Sequence, residues 1–323
     1  MEFKTHEGLF PSANETDQIA YRMMLPEGNP RGILLILHGM RSYSGRYLDF
    51  SRYLCEKGFV VYLYDLAGHG KSVGEGGKFG SFAERDGDVV LVKDLDTMVG
   101  IIRKRYRHLP LFAFGHSLGS FVVRAYIATH KDSFDGAIFC GTCQRMSFSF
   151  FQKRKLRRLC EKAGREPSEA VDALMVGAFE KAYREPGGWL TTRPELLKSF
   201  KNDPLSGHPM CADAYYDIFR LMQYISSDEW CREVPQSLPL LFVSGMRDPL
   251  GGNGKGIAEL VDTLDDLGVC DMTVRLYEGE KHELLDSLSD GIFKEDIVNW
   301  LNEKALAAIE LQQTSPFGGF RCE

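Results

Sequence analysis

Two kinds of apolar segment alternate along the chain. Short runs such as "GILLILH" (Gly32–His38), "FVVYLYD" (Phe59–Asp65), "LFAFGH" (Leu111–His116), "GAIFC" (Gly136–Cys140) and "PLLFVSG" (Pro239–Gly245) are apolar at nearly every position. Strands covered on both faces of a parallel sheet read this way, because neither side of the pleat meets water. "IAYRMML" (Ile19–Leu25) precedes them as a further strand and "MTVRLYEG" (Met272–Gly279) follows. Between them, "GDVVLVKDLDTMVGIIRKRY" and "NGKGIAELVDTLDDLG" place apolar residues at helical spacing. Strand and helix in alternation predict a doubly wound α/β architecture with a mostly parallel central sheet and helices on both faces.

The alternation breaks after Cys143. From Gln144 to Val234 there is no buried-strand run. Instead "FFQKRKLRRLCEKAG", "SEAVDALMVGAFEKAY", "RPELLKSFKND" and "CADAYYDIFRLMQYI" each read as a helix. The expected organisation is a core of residues 1–143 and 235–310, a helical cap or lid of residues 144–234, and a loose polar tail of residues 311–323.

The run Leu111–His116 leads into "GHSLGS", where Ser117 has a glycine two residues away on each side. A GxSxG pentapeptide occurs by chance in many chains. Between a buried strand and a helix, however, it is the sharp elbow that lifts a nucleophilic serine off a sheet edge. The helix beginning at Leu118 would aim its N-terminal N–H groups and positive dipole end at a developing oxyanion. Such a serine needs a base, and the base an orienting carboxylate, in the chain order serine, acid, histidine, each beyond the carboxyl end of a strand. "PLLFVSGMRDPLG" supplies Asp248 and "MTVRLYEGEKHELL" supplies His282. Taken singly, Asp248 could be a turn residue before Pro249 and His282 a solvated loop histidine. Three residues in the required order and context make Ser117, Asp248 and His282 the expected catalytic set. The oxyanion donors would be the N–H groups of Leu118 and Met40, the latter in the loop after Gly32–His38. His38 is expected to order that loop rather than to act as base.

Composition narrows the function classes. Of 323 residues 44% are hydrophobic and 26% charged, ordinary values for a globular protein. The net charge of −6 argues against a nucleic-acid partner, since phosphate binding wants a basic field. The apolar runs are too short to span a bilayer, and no secretory signal is visible, so a cytoplasmic location is expected, with peripheral membrane contact as an option. The eight cysteines then read as reduced thiols. Cys140 and Cys143 form a CxxC, but no second pair completes a tetrahedral zinc site. "YDLAGHGKS" lacks phosphate-loop spacing. No metal and no cofactor are expected.

The segments "HG…SGRY", "YDLAGHGKS", "GHSLGS", "SGMRDPLGGNGKG" and "LYEGEKHELL" resemble, in order and spacing, the monoacylglycerol lipase and lysophospholipase-like group of α/β-hydrolases. The resemblance runs from about Ile19 to Leu301 and includes "WLTTRPELLKSFKNDPLSG". It implies an α/β-hydrolase fold, Ser117 as nucleophile, Asp248 as acid, His282 as base, Met40 and Leu118 as oxyanion donors, and activity on glycerol monoesters of fatty acids. The chain departs from the group in carrying "MRSY" ahead of "SGRY". Arg41, beside the expected site mouth, becomes a candidate ligand for an anionic head group. His116, Phe148 and Phe151 join it as candidate substrate contacts. The aromatics of "MSFSFFQKRKLRRL" would either line an acyl tunnel or, with the basic residues after them, dock on an anionic lipid surface. Lysophospholipids, short-chain or aromatic esters, and a non-catalytic ligand-binding role are the alternative readings. Oligomeric state is not legible.

Overall fold

The fold, a computed structural model, is described over residues 3–183, 187–285, 287 and 289–314. Its strands are β1 (Lys4–Pro11), β2 (Gln18–Leu25), β3 (Gly32–Leu37), β4 (Phe59–Tyr64), β5 (Leu111–His116), β6 (Gly136–Cys140), β7 (Leu240–Gly245) and β8 (Met272–Tyr277). Its helices are α1 (Leu48–Glu56), α2 (Gly87–Arg105), α3 (Leu118–Thr129), α4 (Phe150–Ala163), α5 (Glu169–Met175), α6 (Gly177–Tyr183), α7 (Pro194–Asn202), α8 (Ala212–Ile225), α9 (Asp228–Glu233), α10 (Lys255–Asp266) and α11 (Asp290–Thr314).

The strands form one sheet in the order β1-β2-β4-β3-β5-β6-β7-β8. β3 through β8 pair in parallel, and β1 and β2 complete one edge antiparallel. The pleat sorts the apolar runs onto two faces. Ile33, Leu35 and Leu37 of β3 enter a core built with α2, α3, α8 and α10, whereas Leu34 and Ile36 enter a second one with α1 and α11. Both faces are therefore dry, which is why these strands are apolar at every position. The α/β expectation of a mostly parallel sheet covered by helices on both faces holds.

Four local readings are corrected. β1 has no legible apolar signal because most of its residues are exposed; it is held by pairing with β2. "SEAVDALMVGAFEKAY" is two helices, α5 and α6, broken between Met175 and Gly177. The shorter α1 and α9 are also present. The tail expected from residue 311 is helical through Thr314, as the end of α11; residues 315–323 lie outside the described residues.

Helices α4 to α9 all fall between β6 and β7. α8 anchors this inserted segment, packing its buried face on α2, α3 and α4. Arg124, on α3, links the start of the inserted segment to the end of α8: its guanidinium donates to the carbonyls of Cys143 at 2.8 Å and Ile225 at 2.7 Å. It lies 4.2 Å from the ring of Trp230, whose indole N–H donates back to the Arg124 carbonyl.

Candidate active site

The carboxyl ends of β3, β5, β6, β7 and β8 bring the expected residues to one edge of the sheet. Ser117 follows β5 directly and adopts φ 51° and ψ −119°, a left-handed conformation that a non-glycine residue holds only when its surroundings enforce it. Its N–H donates to the Cys140 carbonyl at 2.9 Å, and its own carbonyl accepts from Ser120 N–H and Oγ. The flanking glycines are required by contact. A Cβ on Gly119 would fall 2.4 Å from the Leu37 carbonyl oxygen, and one on Gly115 would strike the Gly119 backbone.

Asp248 sits three residues beyond β7, wholly buried, with Oδ1 accepting the Leu250 N–H at 2.9 Å. Its Oδ2 lies 2.9 Å from His282 Nδ1. That contact assigns the Nδ1 proton to the Asp248 side, leaving Nε2 as the nitrogen with a free lone pair. Burial works against a charged His282. The Asp248 carboxylate opposes it by charge and hydrogen bond, Glu283 adds to it, and the imidazole ends above its ordinary value. Beneath the ring lies Gly141, at φ 55°, where a Cβ would stand 3.1 Å from His282 Cε1 and Nδ1. The "CGTC" stretch thus serves this edge through its glycine. Cys140 and Cys143 are buried, and burial pushes both thiols up.

The loop after β3 runs beside the elbow. The Met40 and Leu118 N–H groups, the expected oxyanion donors, donate to no acceptor among the described residues. His38 is fully buried, accepts from the Leu66 N–H at 3.0 Å, and is driven by burial down to about 4, so it stays neutral and orders the loop.

The candidate substrate contacts have these neighbours. His116 is buried, with Nδ1 at 3.0 Å from the Tyr47 hydroxyl and Nε2 at 3.4 Å from the His282 carbonyl, so both ring nitrogens are occupied by protein. Arg41 is bound to Asp172 of α5 and to the Tyr215 hydroxyl of α8, which joins the loop after β3 to the inserted segment. Phe148 packs edge to face on Phe219 of α8 at 4.8 Å. Phe151 is 79% exposed on α4 and meets Phe150 edge to face. The aromatics of this stretch divide: Met146 and Phe148 turn inward, Phe150 and Phe151 outward.

Two further residues at this edge, in "WLTTRPELLKSFKNDPLSG" and "LYEGEKHELL", had no role assigned from the sequence. Trp189, from the inserted segment, places its ring 4.8 Å from that of His282, and its carbonyl accepts the His282 N–H at 3.5 Å. Lys281, buried, donates to the carbonyls of Gly188 and Thr191. The inserted segment is thus fastened to the histidine loop through main chain, which a side-chain pattern does not record.

Comparison with known proteins adds the following. The family described as serine aminopeptidase, S33, matches residues 28–288. A monoacylglycerol lipase of Mycolicibacterium smegmatis is 25% identical over 289 residues, covering 88% of this chain and 92% of that protein. The human monoglyceride lipase is 25% identical over 294 residues, covering 89% of this chain and 88% of its own. Among solved structures, a thermostable carboxyl esterase from Bacillus coagulans in complex with glycerol superimposes with a TM-score of 0.87 at 29% identity, covering 94% of this chain and all of that one.

Proposed function

This chain belongs to the serine aminopeptidase S33 family of α/β-hydrolases, and from that premise we propose that it cleaves fatty-acyl monoesters of glycerol. It is a serine hydrolase of the esterase and lipase group. The observation that carries the mechanism is the buried Asp248–His282 pair, at 2.9 Å, on the sheet edge where Ser117 is held in its strained elbow.

In this mechanism His282 Nε2 takes the proton of Ser117 as Oγ attacks the ester carbonyl. Asp248 holds the imidazole in the required tautomer and stabilises the imidazolium that forms. The N–H groups of Met40 and Leu118 receive the oxyanion in a site that costs no reorganisation at the moment of reaction. Collapse expels the alcohol, which takes its proton from His282. A water molecule, deprotonated by the same nitrogen, then releases the fatty acid from Ser117.

Helices α4 to α9 act as a cap over this edge, and the choice of a lipid substrate rests on two supports. Relatives alignable over most of the chain are lipases of monoacylglycerols. On α4, the exposed Phe150 and Phe151 stand beside Arg154, Lys155 and Arg158, a combination suited to an anionic lipid surface on which substrate is dissolved. The test is fatty-acid release from monooleoylglycerol beside p-nitrophenyl butyrate, comparing the wild type with Ser117→Ala. Preference for the glyceride and an inactive variant support the proposal. Cleavage of the short ester alone keeps the nucleophile and rejects the lipid, and greater release from lysophosphatidylcholine would move the assignment to a lysophospholipase.

A further inference from the structure

Behind the proposed base lies a charged pair that the mechanism above does not use. Glu283 follows His282 in the chain, and its side chain is 16% exposed. Arg46, in the turn Ser44–Tyr47, places Nη1 3.6 Å from the Glu283 carboxylate. The same guanidinium lies 5.0 Å from the ring of Phe200 on α7 and donates to Ser42 Oγ at 3.4 Å. The Glu283 N–H donates to the Leu190 carbonyl at 2.7 Å. One residue beyond the base, the chain is therefore joined to the oxyanion loop through Arg46 and Ser42, and to the cap through Leu190 and Phe200.

We propose that Glu283 is a positioning residue for His282, and that Arg46 sets how much of its negative charge the imidazole feels. This rests on the serine-hydrolase reading of Ser117 and His282. Burial pushes the Glu283 carboxyl up, but the positive charges around it outweigh burial and hold it below the usual range, so it stays ionised at neutral pH, where Arg46 is the neighbour that remains fully charged. Its charge in turn favours the protonated imidazole. The other groups around His282 are accounted for. Asp248 is its direct partner from the loop after β7, and His116 of β5 is neutral because burial takes it down to about 4. The Tyr47 hydroxyl and the Cys140 thiol are pushed up by burial and carry no charge. The Lys281 ammonium is bound to cap carbonyls, and Trp189 presents a neutral ring.

The two charges act on His282 in opposite directions. Removing the Glu283 carboxylate disfavours the imidazolium, so the acid limb of kcat/KM moves to lower pH. Removing Arg46 leaves that carboxylate uncompensated, so the limb moves to higher pH. A purely structural pair would move the limb the same way in both variants, or not at all.

The experiment is the pH profile of kcat/KM on p-nitrophenyl butyrate for the wild type, Glu283→Gln and Arg46→Gln, alongside fluorophosphonate labelling of Ser117 and thermal unfolding. The expected displacements are roughly half a pH unit, downward and upward respectively. The plateau should fall by less than about tenfold, and Glu283→Asp should return the limb to its place. Shifts of the same sign, or none in folded variants, overturn the proposal. If Arg46→Gln or Glu283→Gln does not fold, Arg46→Lys, which keeps the charge, must leave the limb in place, and its movement overturns the proposal. A wild type that neither labels at Ser117 nor cleaves the ester would instead overturn the underlying reading of the site.

Discussion

A Cβ added to Gly115 would stand 2.6 Å from the carbonyl carbon and oxygen of Gly119, four residues on, across the turn that holds Ser117. No real Cβ contact is that short, and the obstruction is backbone, which cannot rotate away. Gly115→Ala should therefore cost about 3 kcal/mol or more in urea unfolding and abolish fluorophosphonate labelling. Gly100→Ala, on α2, is the matched control. Its Cβ would meet nothing within 4 Å, so it should gain about 0.5–1 kcal/mol from helix propensity. Equal effects at the two positions would mean that the elbow's glycines are ordinary turn residues.

Activity should fall as pH drops through the value of His282, because only the neutral imidazole can accept the serine proton. Since Asp248 raises that value, the acid limb should lie above the ordinary histidine range. Asp248→Asn removes the charge and the acceptor for the Nδ1 proton. It should displace the limb downward and lower kcat by about 10³–10⁴-fold. Stopped-assay kinetics across pH 5–9 would show both effects, and a limb unmoved by the substitution would contradict the pairing.

Arg124 is fully buried and, among the described residues, is paired with carbonyl groups and an indole ring rather than with a carboxylate. Arg124→Ala leaves the Cys143 and Ile225 carbonyls short of a donor and opens a cavity beside Trp230. We expect a loss of about 3 kcal/mol in denaturant unfolding. Because it joins the start of the inserted segment to the end of α8, amide exchange should rise together near residues 142–144 and 225–231. Exchange confined to α3 would show that the cap roots do not depend on it.

Asp217, on α8, is only 6% exposed, and burial with the neighbouring charges of Asp88, Asp213 and Asp86 raises it to about 7 despite Arg220. Folded and unfolded forms are both protonated below the ordinary carboxylate value. Between about 4 and 7 the unfolded chain ionises first, so this residue costs stability increasingly as pH rises. Asp217→Asn should thus be more stable than the wild type by roughly 2 kcal/mol at pH 8 and by nothing at pH 4. A gain independent of pH would place the effect in packing rather than in charge.

The strands buried on two faces were legible because burial demands apolar residues at every position, and β3 through β7 announce themselves in this way. β1 was not, since a half-exposed edge strand such as "KTHEGLFP" is specified by its partner, β2, and not by its own pattern. The break between α5 and α6 was also hidden, because both halves keep helical periodicity across Val176. At the candidate site, Ser117, Asp248 and His282 were readable as residues following strands. What the residues proposed as substrate contacts touch within the protein was not, for residue type says nothing about which neighbour a side chain meets. Arg41 found Asp172 and Tyr215, and His116 found Tyr47 and the His282 carbonyl.

The sequence by itself determined the α/β order, the helical insertion after Cys143 and the elbow at Ser117, because period, strand-to-helix junctions and chain order are properties along the chain. Only the tertiary structure decided which loops touch. It put Gly141 under His282, Trp189 against its ring, and the Arg46–Glu283 pair beside the histidine loop. The physical reason is that these contacts join residues far apart in sequence through close backbone approach and shared burial, and neither leaves a periodic trace.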